Sequence, residues 1–265
     1  MNKRKILLWA GIASLLFFLL LAVLAPWLAP YDPAAMGEPF LKPSFSHWLG
    51  TNDIGEDILS ELIYGSRVSL LVGVVSAGVI TFIGTGLGVV AGYYGGKIDT
   101  LITGVCNIVI VLPTLPLILL LIAFIDAGLT NIILVICITA WAAFARIVRS
   151  QVLKIKEMQY IQMEKVLGLS DWKILLFHII PNLRELVMVK GCLAVITAIM
   201  TEAGLSFLGI GVVEQTSWGS ILHYAFFRDG VLNNLWWWYL PPVVCIFLCA
   251  MGFMLICDFY QQEME

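Results

Sequence analysis

The chain has 265 residues, of which 60% are hydrophobic and 12% charged, with a mean hydropathy of +0.96 and a formal net charge of −3. Soluble domains carry roughly a quarter charged residues, so half that share describes a chain dissolved in lipid, where a helical span needs about 20 apolar residues. The cations do not gather with interleaved aromatics on a polar domain, which excludes a nucleic-acid surface.

Lys3-Arg4-Lys5 precede an apolar run over residues 6–29. A cleaved signal peptide would have a shorter apolar region, about 7–15 residues, and Pro26 and Pro30 spoil the small-residue cleavage sites. A retained first span with its N-terminus in the cytoplasm is expected. Residues 30–67 are polar and turn-rich, with Asp32, Glu38, Asp53, Glu56, Asp57 and Glu61 against Lys42 alone before Arg67. Within them Ile54, Ile58, Leu59, Leu62 and Ile63 predict an amphipathic helix lying at the membrane surface.

The second span is expected over 68–94, where Gly84, Gly88, Gly92 and Gly96 recur every fourth residue and form a small-residue ridge for close helix packing. Residues 91–98, AGYYGGKI, imitate a phosphate loop but have Ala91 for the first glycine and Ile98 for the hydroxyl residue. No better nucleotide motif occurs, so ATP chemistry must come from another chain. The third span, 101–125, is expected to kink at Pro113 and Pro116, with an outer turn at 126–130 and a fourth span over 131–147.

Arg146, Arg149, Lys154, Lys156, Lys165, Lys173 and Arg184 then crowd the segment before a fifth span at 186–208. A polar outer loop runs to 234, and Trp236-Trp237-Trp238-Tyr239 form an interfacial aromatic belt at the start of a sixth span ending near 257. Lys3, Arg4, Lys5, Lys97 and the basic residues of the central segment lie on one side, against Lys42, Arg67 and Arg228 on the other. The positive-inside rule therefore puts both termini and the central segment in the cytoplasm.

Residues 160–182 of that segment read as a short helix, a break at Gly168, a second helix and a stop at Pro181. Glycine reaches the left-handed conformation that ends a helix. Ser170 is placed to cap the second helix, although Lys173 stands where a capping-box acid would be. Trp172, Leu175, Leu176 and Ile179 have the spacing of one apolar face. Periodicity alone equally fits a helix pair resting on headgroups or on its own domain.

The six cysteines, Cys106, Cys137, Cys192, Cys245, Cys249 and Cys257, all fall in apolar runs without a Cys-x-x-Cys pair, and read as small buried hydrophobes. His47, His178 and His223 are too scattered for a metal cluster and are expected to pack or cap. Met163, Met188, Met200 and Met251 are expected in the core. No catalytic residue or metal ligand is assigned, because no Ser-His-Asp pattern, H-E-x-x-H run or pair of intramembrane acids occurs.

Glu202 stands within the fifth span. A charge there costs about 2.5–3.5 kcal/mol on insertion scales, so it should face protein or a watery cavity. Lys190 lies roughly 18 Å away along the same helix and cannot pair with it. A structural hydrogen bond is the leading reading for Glu202, and a place on the transport path the second. Without clear inverted repeats or several intramembrane charges, a secondary transporter is disfavoured against a pore subunit energised elsewhere.

The segments richest in motifs carry a resemblance. Gln162-Met163-Glu164 with Gly168 and Pro181 resembles the cytoplasmic coupling loop of binding-protein-dependent ABC importer permeases, whose motif runs Glu-Ala-Ala, then glycine, then a distal proline. His47-Trp48-Leu49-Gly50-Thr51-Asn52-Asp53, Tyr64-Gly65-Ser66-Arg67-Val68-Ser69-Leu70 and Pro30-Tyr31-Asp32-Pro33 are similar to the outer segment of the dipeptide/oligopeptide/nickel permeases. Glu202-Ala203-Gly204-Leu205-Ser206-Phe207-Leu208-Gly209-Ile210-Gly211, followed by Ser217-Trp218-Gly219, resembles their late fifth-span motif.

The resemblance implies an all-α polytopic membrane protein of six transmembrane helices with a cytoplasmic coupling-helix loop, the type I ABC importer permease fold. It would lie in a bacterial or archaeal cytoplasmic membrane. Residues 1–66 would form the first span and extracytoplasmic segment, 67–260 the core with its coupling loop at about 150–182, and 261–265 the tail. The implied partners are a second homologous permease, two ATPase subunits that bind ATP and Mg, an extracytoplasmic solute-binding protein and membrane lipid. Tyr160, Gln162, Met163, Glu164, Lys165, Leu167, Gly168, Leu169 and Asp171 would form the ATPase-docking helix and its turn, and Pro181 would end the next helix.

Gln162 replaces the family glutamate and Glu164 an alanine, so the acid is shifted by two residues, which implies docking that is either weaker or tuned to a particular ATPase. The segment 258–262 also lacks the Gly-Asp-Gly-like ending common in the family. Short peptides are the leading cargo and nickel or a metal chelate the nearest alternative, with a non-transporting membrane scaffold as the reading from another class.

Overall fold

The structure, a computed structural model, describes residues 3–125, 128–212 and 215–261, with side chains from Lys5 onward. Asp126 of the expected outer turn and residues 262–265 of the tail lie outside that description, as do the side chains of Lys3 and Arg4. Helices dominate, and the described residues contain no strand. They are α1 (Lys3–Val23), α2 (Ala25–Leu28), α3 (Ile58–Tyr94), α4 (Gly96–Val111), α5 (Thr114–Phe124), α6 (Leu129–Lys156), α7 (Gln159–Val166), α8 (Asp171–Ile174), a π-helical turn (Leu175–Ile179), α9 (Ile180–Phe207), α10 (Trp218–Phe227) and α11 (Trp236–Gln261).

Among the described residues five helices are long and apolar enough to cross a membrane, and six if α4 and α5 count as one broken span. α3 is the central column. It packs along α6 and α9, while α1 lies against α11. Its 37 residues span about 55 Å, well beyond a hydrocarbon core of about 30 Å.

The expected surface helix around residues 54–63 is instead the beginning of α3. Asp57 caps it, accepting from the Ser60 backbone at 2.9 Å, and no breaker follows before Gly95. Ile58, Leu62 and Ile63 are consequently buried in the bundle. This helix also crosses the expected division at 66/67. Gly84, Gly88 and Gly92 do form the expected ridge: a Cβ at Gly88 would meet the Ala145 carbonyl of α6 at 2.6 Å. Gly96 departs from it, opening α4 in free space.

The third span is broken rather than kinked, with 92° between α4 and α5. Pro113 forces the preceding Leu112 into an extended conformation, which ends α4. Pro116 sits in the first turn of α5, where its missing N–H has no intrahelical partner to lose. The fourth span extends to Lys156, so Arg149, Lys154 and Lys156 are on the same helix as Ile132 and Val135.

Pro181 does not end a helix, contrary to expectation. Residues Asp171–Phe207 form one continuous helical run through it. The π turn just before makes this possible: the Ile180 N–H bonds to the Leu175 carbonyl, five residues back, and the wider turn makes room for the ring. Asn182 donates its side-chain amide to the carbonyl of His178. The same turn explains why the expected apolar face fails. Trp172 and Leu176 are exposed, and the buried set is Ile174, Leu175, Ile179 and Leu183, because a π turn shifts the helical register.

Three further expectations are corrected. Trp237 and Trp238 are buried among α1, α10 and α11, leaving Trp236 as the exposed indole of the supposed belt. The polar loop after the fifth span contains α10, begun by a capping box between Ser217 and Ser220. Met163, Met188, Met200 and Met251 are exposed. Lipid is as apolar as the core, so hydrophobicity does not separate inside from outside. The cysteines are free, with Cys106, Cys137, Cys249 and Cys257 buried and Cys192 and Cys245 half-buried.

Candidate functional site

The C-terminal ends of α3 and α6 and the N-terminal ends of α4 and α8 meet at one end of the bundle, called here the basic end. Its cations are largely engaged with the frame. Arg149 of α6 grips both carboxylate oxygens of Asp99 on α4, one at 2.6 Å, and Thr103 donates to the same carboxylate at 2.9 Å. Arg146 donates to Asn107. Lys156 donates to the carbonyl of Tyr93, whose ring centre lies 5.6 Å from the Lys156 ammonium and 5.9 Å from that of Lys165. The Tyr93 hydroxyl donates to Asp171 at 2.6 Å, fastening the start of α8 to the end of α3.

α7 is mounted on this frame. It begins after the extended residue Met158 and is held inward by buried Ile161. Gly168 ends it with φ +81°, as expected. The Leu169 N–H bonds to the Glu164 carbonyl at 3.1 Å and the Gly168 N–H to the Lys165 carbonyl at 3.2 Å, the paired bonds of a Schellman motif. Ser170 occupies the N-cap position of α8 without making a side-chain cap bond.

The outward face of α7 is apolar. Met163, Val166 and Leu167 are 65%, 87% and 75% exposed, and Trp172 across the turn is 66% exposed. Contiguous apolar exposure on a charged surface marks an interaction site. Gln162, Lys165 and Val166 border a cavity of about 430 Å³ together with Tyr93, Lys156 and Glu157.

Glu164 turns the other way, with Oε1 3.2 Å from Nε2 of His178 in the π turn and Oε2 enclosed without a hydrogen-bond partner. One turn earlier, the Tyr160 hydroxyl accepts from Asn182 at 3.2 Å. The structure thus gathers Tyr160, Gln162, Met163, Glu164, Lys165, Leu167, Gly168, Leu169 and Asp171 into one helix and turn. Pro181 lies apart, inside α9. Tyr93, Val166, Trp172, His178 and Asn182 also belong to the site. Trp172 is legible in the sequence only as a member of a periodic pattern, and the other four carry no local signal.

At the opposite end, Glu202 is fully buried. It accepts from Ser206 at 2.6 Å and from Ser69 of α3 at 3.2 Å, and the Ser69 hydroxyl accepts from the Trp218 backbone at 3.3 Å. Trp218, also fully buried, donates its indole N–H to the Leu62 carbonyl at 3.1 Å and packs edge-on against Phe18. His47 bonds to Asp57 at 2.9 Å under the stacked ring of Tyr31, a packing and positioning role. Between the two ends, α3 and α9 flank an apolar cleft of about 1020 Å³ that includes Thr81, Thr85 and Gly191.

Residues 84–264 match the family described as binding-protein-dependent transport system inner membrane component, and residues 3–43 match the N-terminal TM domain of oligopeptide transport permease C. The dipeptide transport system permease protein DppC of Bacillus subtilis (strain 168) is 35% identical, over 99% of this chain and 82% of that protein. The probable D,D-dipeptide transport system permease protein DdpC of Escherichia coli (strain K12) is 34% identical, over 92% and 82%. The oligopeptide transport system permease protein OppC of Bacillus subtilis (strain 168) is 34% identical, over 94% and 81%. Among solved structures, a chain of the MetNI methionine ABC transporter superposes with a TM-score of 0.62 at 19% identity, covering 77% of this chain and 97% of that one, a likeness of fold.

Proposed function

The chain belongs to the binding-protein-dependent transport system inner membrane component family, and from that premise we propose that it is the permease subunit of an ATP-driven importer of short peptides. The basic end faces the cytoplasm in this reading, in keeping with the positive-inside rule. α7 and its Gly168 turn dock on a separate ATPase subunit, which supplies ATP and Mg. The observation that carries the docking role is the uncovered face of Met163, Val166 and Leu167, held on a rigid frame at the basic end.

ATP-driven closure of two such ATPases then displaces α7. The displacement passes into α9 and, through the Tyr93–Asp171 bond, meets the end of α3. The pathway forms with a second homologous permease, and an extracytoplasmic solute-binding protein delivers the ligand. Glu202 is proposed as the polar node that holds α10 on α3 and α9, since its carboxylate is occupied by Ser69 and Ser206.

The peptide assignment rests on relatives named for dipeptides, D,D-dipeptides, oligopeptides and glutathione. These relatives do not favour the nickel alternative. Reconstitution of the chain with its partner permease, two ATPases and the binding protein in liposomes tests the proposal. Peptide-stimulated ATP hydrolysis with peptide accumulation is expected. A stable complex lacking both would indicate a scaffold and overturn it.

A further inference from the structure

We propose that His178 is a positioning residue for energy transmission. Through Glu164 it fastens α7 to the π turn, so that displacement of α7 enters α9 instead of being absorbed at the Gly168 turn. The inference rests on the docking role of α7 proposed above.

The turn at 167–170 is poorly suited to carry force. Gly168 lies in open space, and Ser170 adds no side-chain cap bond. Asp171 is held to Tyr93 of α3, so a push on α7 would pivot about that point. Two rungs oppose the pivot. Tyr160 and Glu164 stand one turn apart on α7, and His178 and Asn182 one turn apart on the facing segment, paired at 3.2 Å in each rung. A single rung would permit rotation about itself, whereas two parallel rungs fix both position and angle.

The rungs end where α9 is weakest. Pro181 contributes no N–H, and the Ile180 N–H reaches back five residues to Leu175. A π turn of this kind has a competing α-helical register, and such insertions recur at functional sites. Asn182 links the rungs, since it donates to Tyr160 and to the carbonyl of His178. One oxygen of the Glu164 carboxylate lies within ion-pairing distance of the His178 ring, and the second is enclosed without a hydrogen-bond partner.

The test uses the complete reconstituted transporter, with peptide moved per ATP hydrolysed as the readout and ATPase co-purification measured separately. His178→Phe retains the ring volume and removes the nitrogen. It is expected to co-purify with the ATPases while transport per ATP falls about fivefold or more, the scale of a coupling interaction. His178→Gln, which keeps a donor, is expected to recover most of the loss. Combining His178→Phe with Glu164→Ala should be no worse than the more severe single variant, as required of a pair acting together.

Unchanged transport per ATP in His178→Phe would overturn the proposal. So would additive losses in the double variant, or loss of ATPase capture caused by His178→Phe alone. Failure of the unsubstituted chain to capture ATPases would overturn the docking role itself, a separate and recognisable outcome.

Discussion

The two ends of the bundle solve opposite problems. Around Glu202 and Trp218, side chains from α3, α9 and α10 satisfy one another out of contact with solvent. At the basic end the polar groups also pair, yet α7 turns Met163, Val166 and Leu167 outward. Burial at the first end stabilises this chain by itself, while the second leaves apolar area that only another molecule can cover. Damage at the Glu202 end should therefore appear as lost stability, and damage at the basic end as lost coupling.

Trp218→Ala makes the largest break. Removing a fully buried indole from its contacts with Phe18 and Leu62 should cost about 3–5 kcal/mol, read as a lower midpoint in detergent melts. Gly168→Val comes next, because a β-branched residue at φ +81° is strained by about 1–3 kcal/mol. It is expected to insert and express normally while uptake is lost, because a displaced turn no longer holds Glu164 opposite His178; normal uptake would show that this turn geometry is not needed for coupling.

Glu202→Gln retains an acceptor for one serine, and its expected cost is about 1 kcal/mol with transport preserved. A large transport defect at unchanged stability would instead put Glu202 on the substrate path. Tyr93→Phe removes one bond to Asp171 and should cost about 0.5–1.5 kcal/mol, with transport per ATP reduced more than the melt. Cysteines at Met163 or Leu167 should crosslink to the ATPase, and consistent failure at these and neighbouring positions would place docking elsewhere.

Much of this architecture is legible in the amino-acid sequence. Long apolar runs mark the spans, spacing marks the Gly84–Gly88–Gly92 ridge, and Gly168 marks the end of α7. The bounds of the spans are not legible, because helices continue past the bilayer wherever no breaker stops them, as α3 and α6 do. The π turn escapes a sequence reading because Pro181 offers either a stop or a widened turn, and packing of Ile174, Ile179 and Leu183 selects the second. The Glu164–His178 and Tyr93–Asp171 pairs join separate elements, and no local pattern announces them.

The length of α3 has a consequence for how this chain can vary. Asp57 and Tyr93 stand at the two ends of one uninterrupted helix, each fixed by its own partners. Inserting a single residue between them would turn one end by about 100° relative to the other. Tyr93 would then face away from Asp171, or Ser69 away from Glu202. The two ends are held in phase by a residue count, so α3 tolerates substitution far better than any change of length.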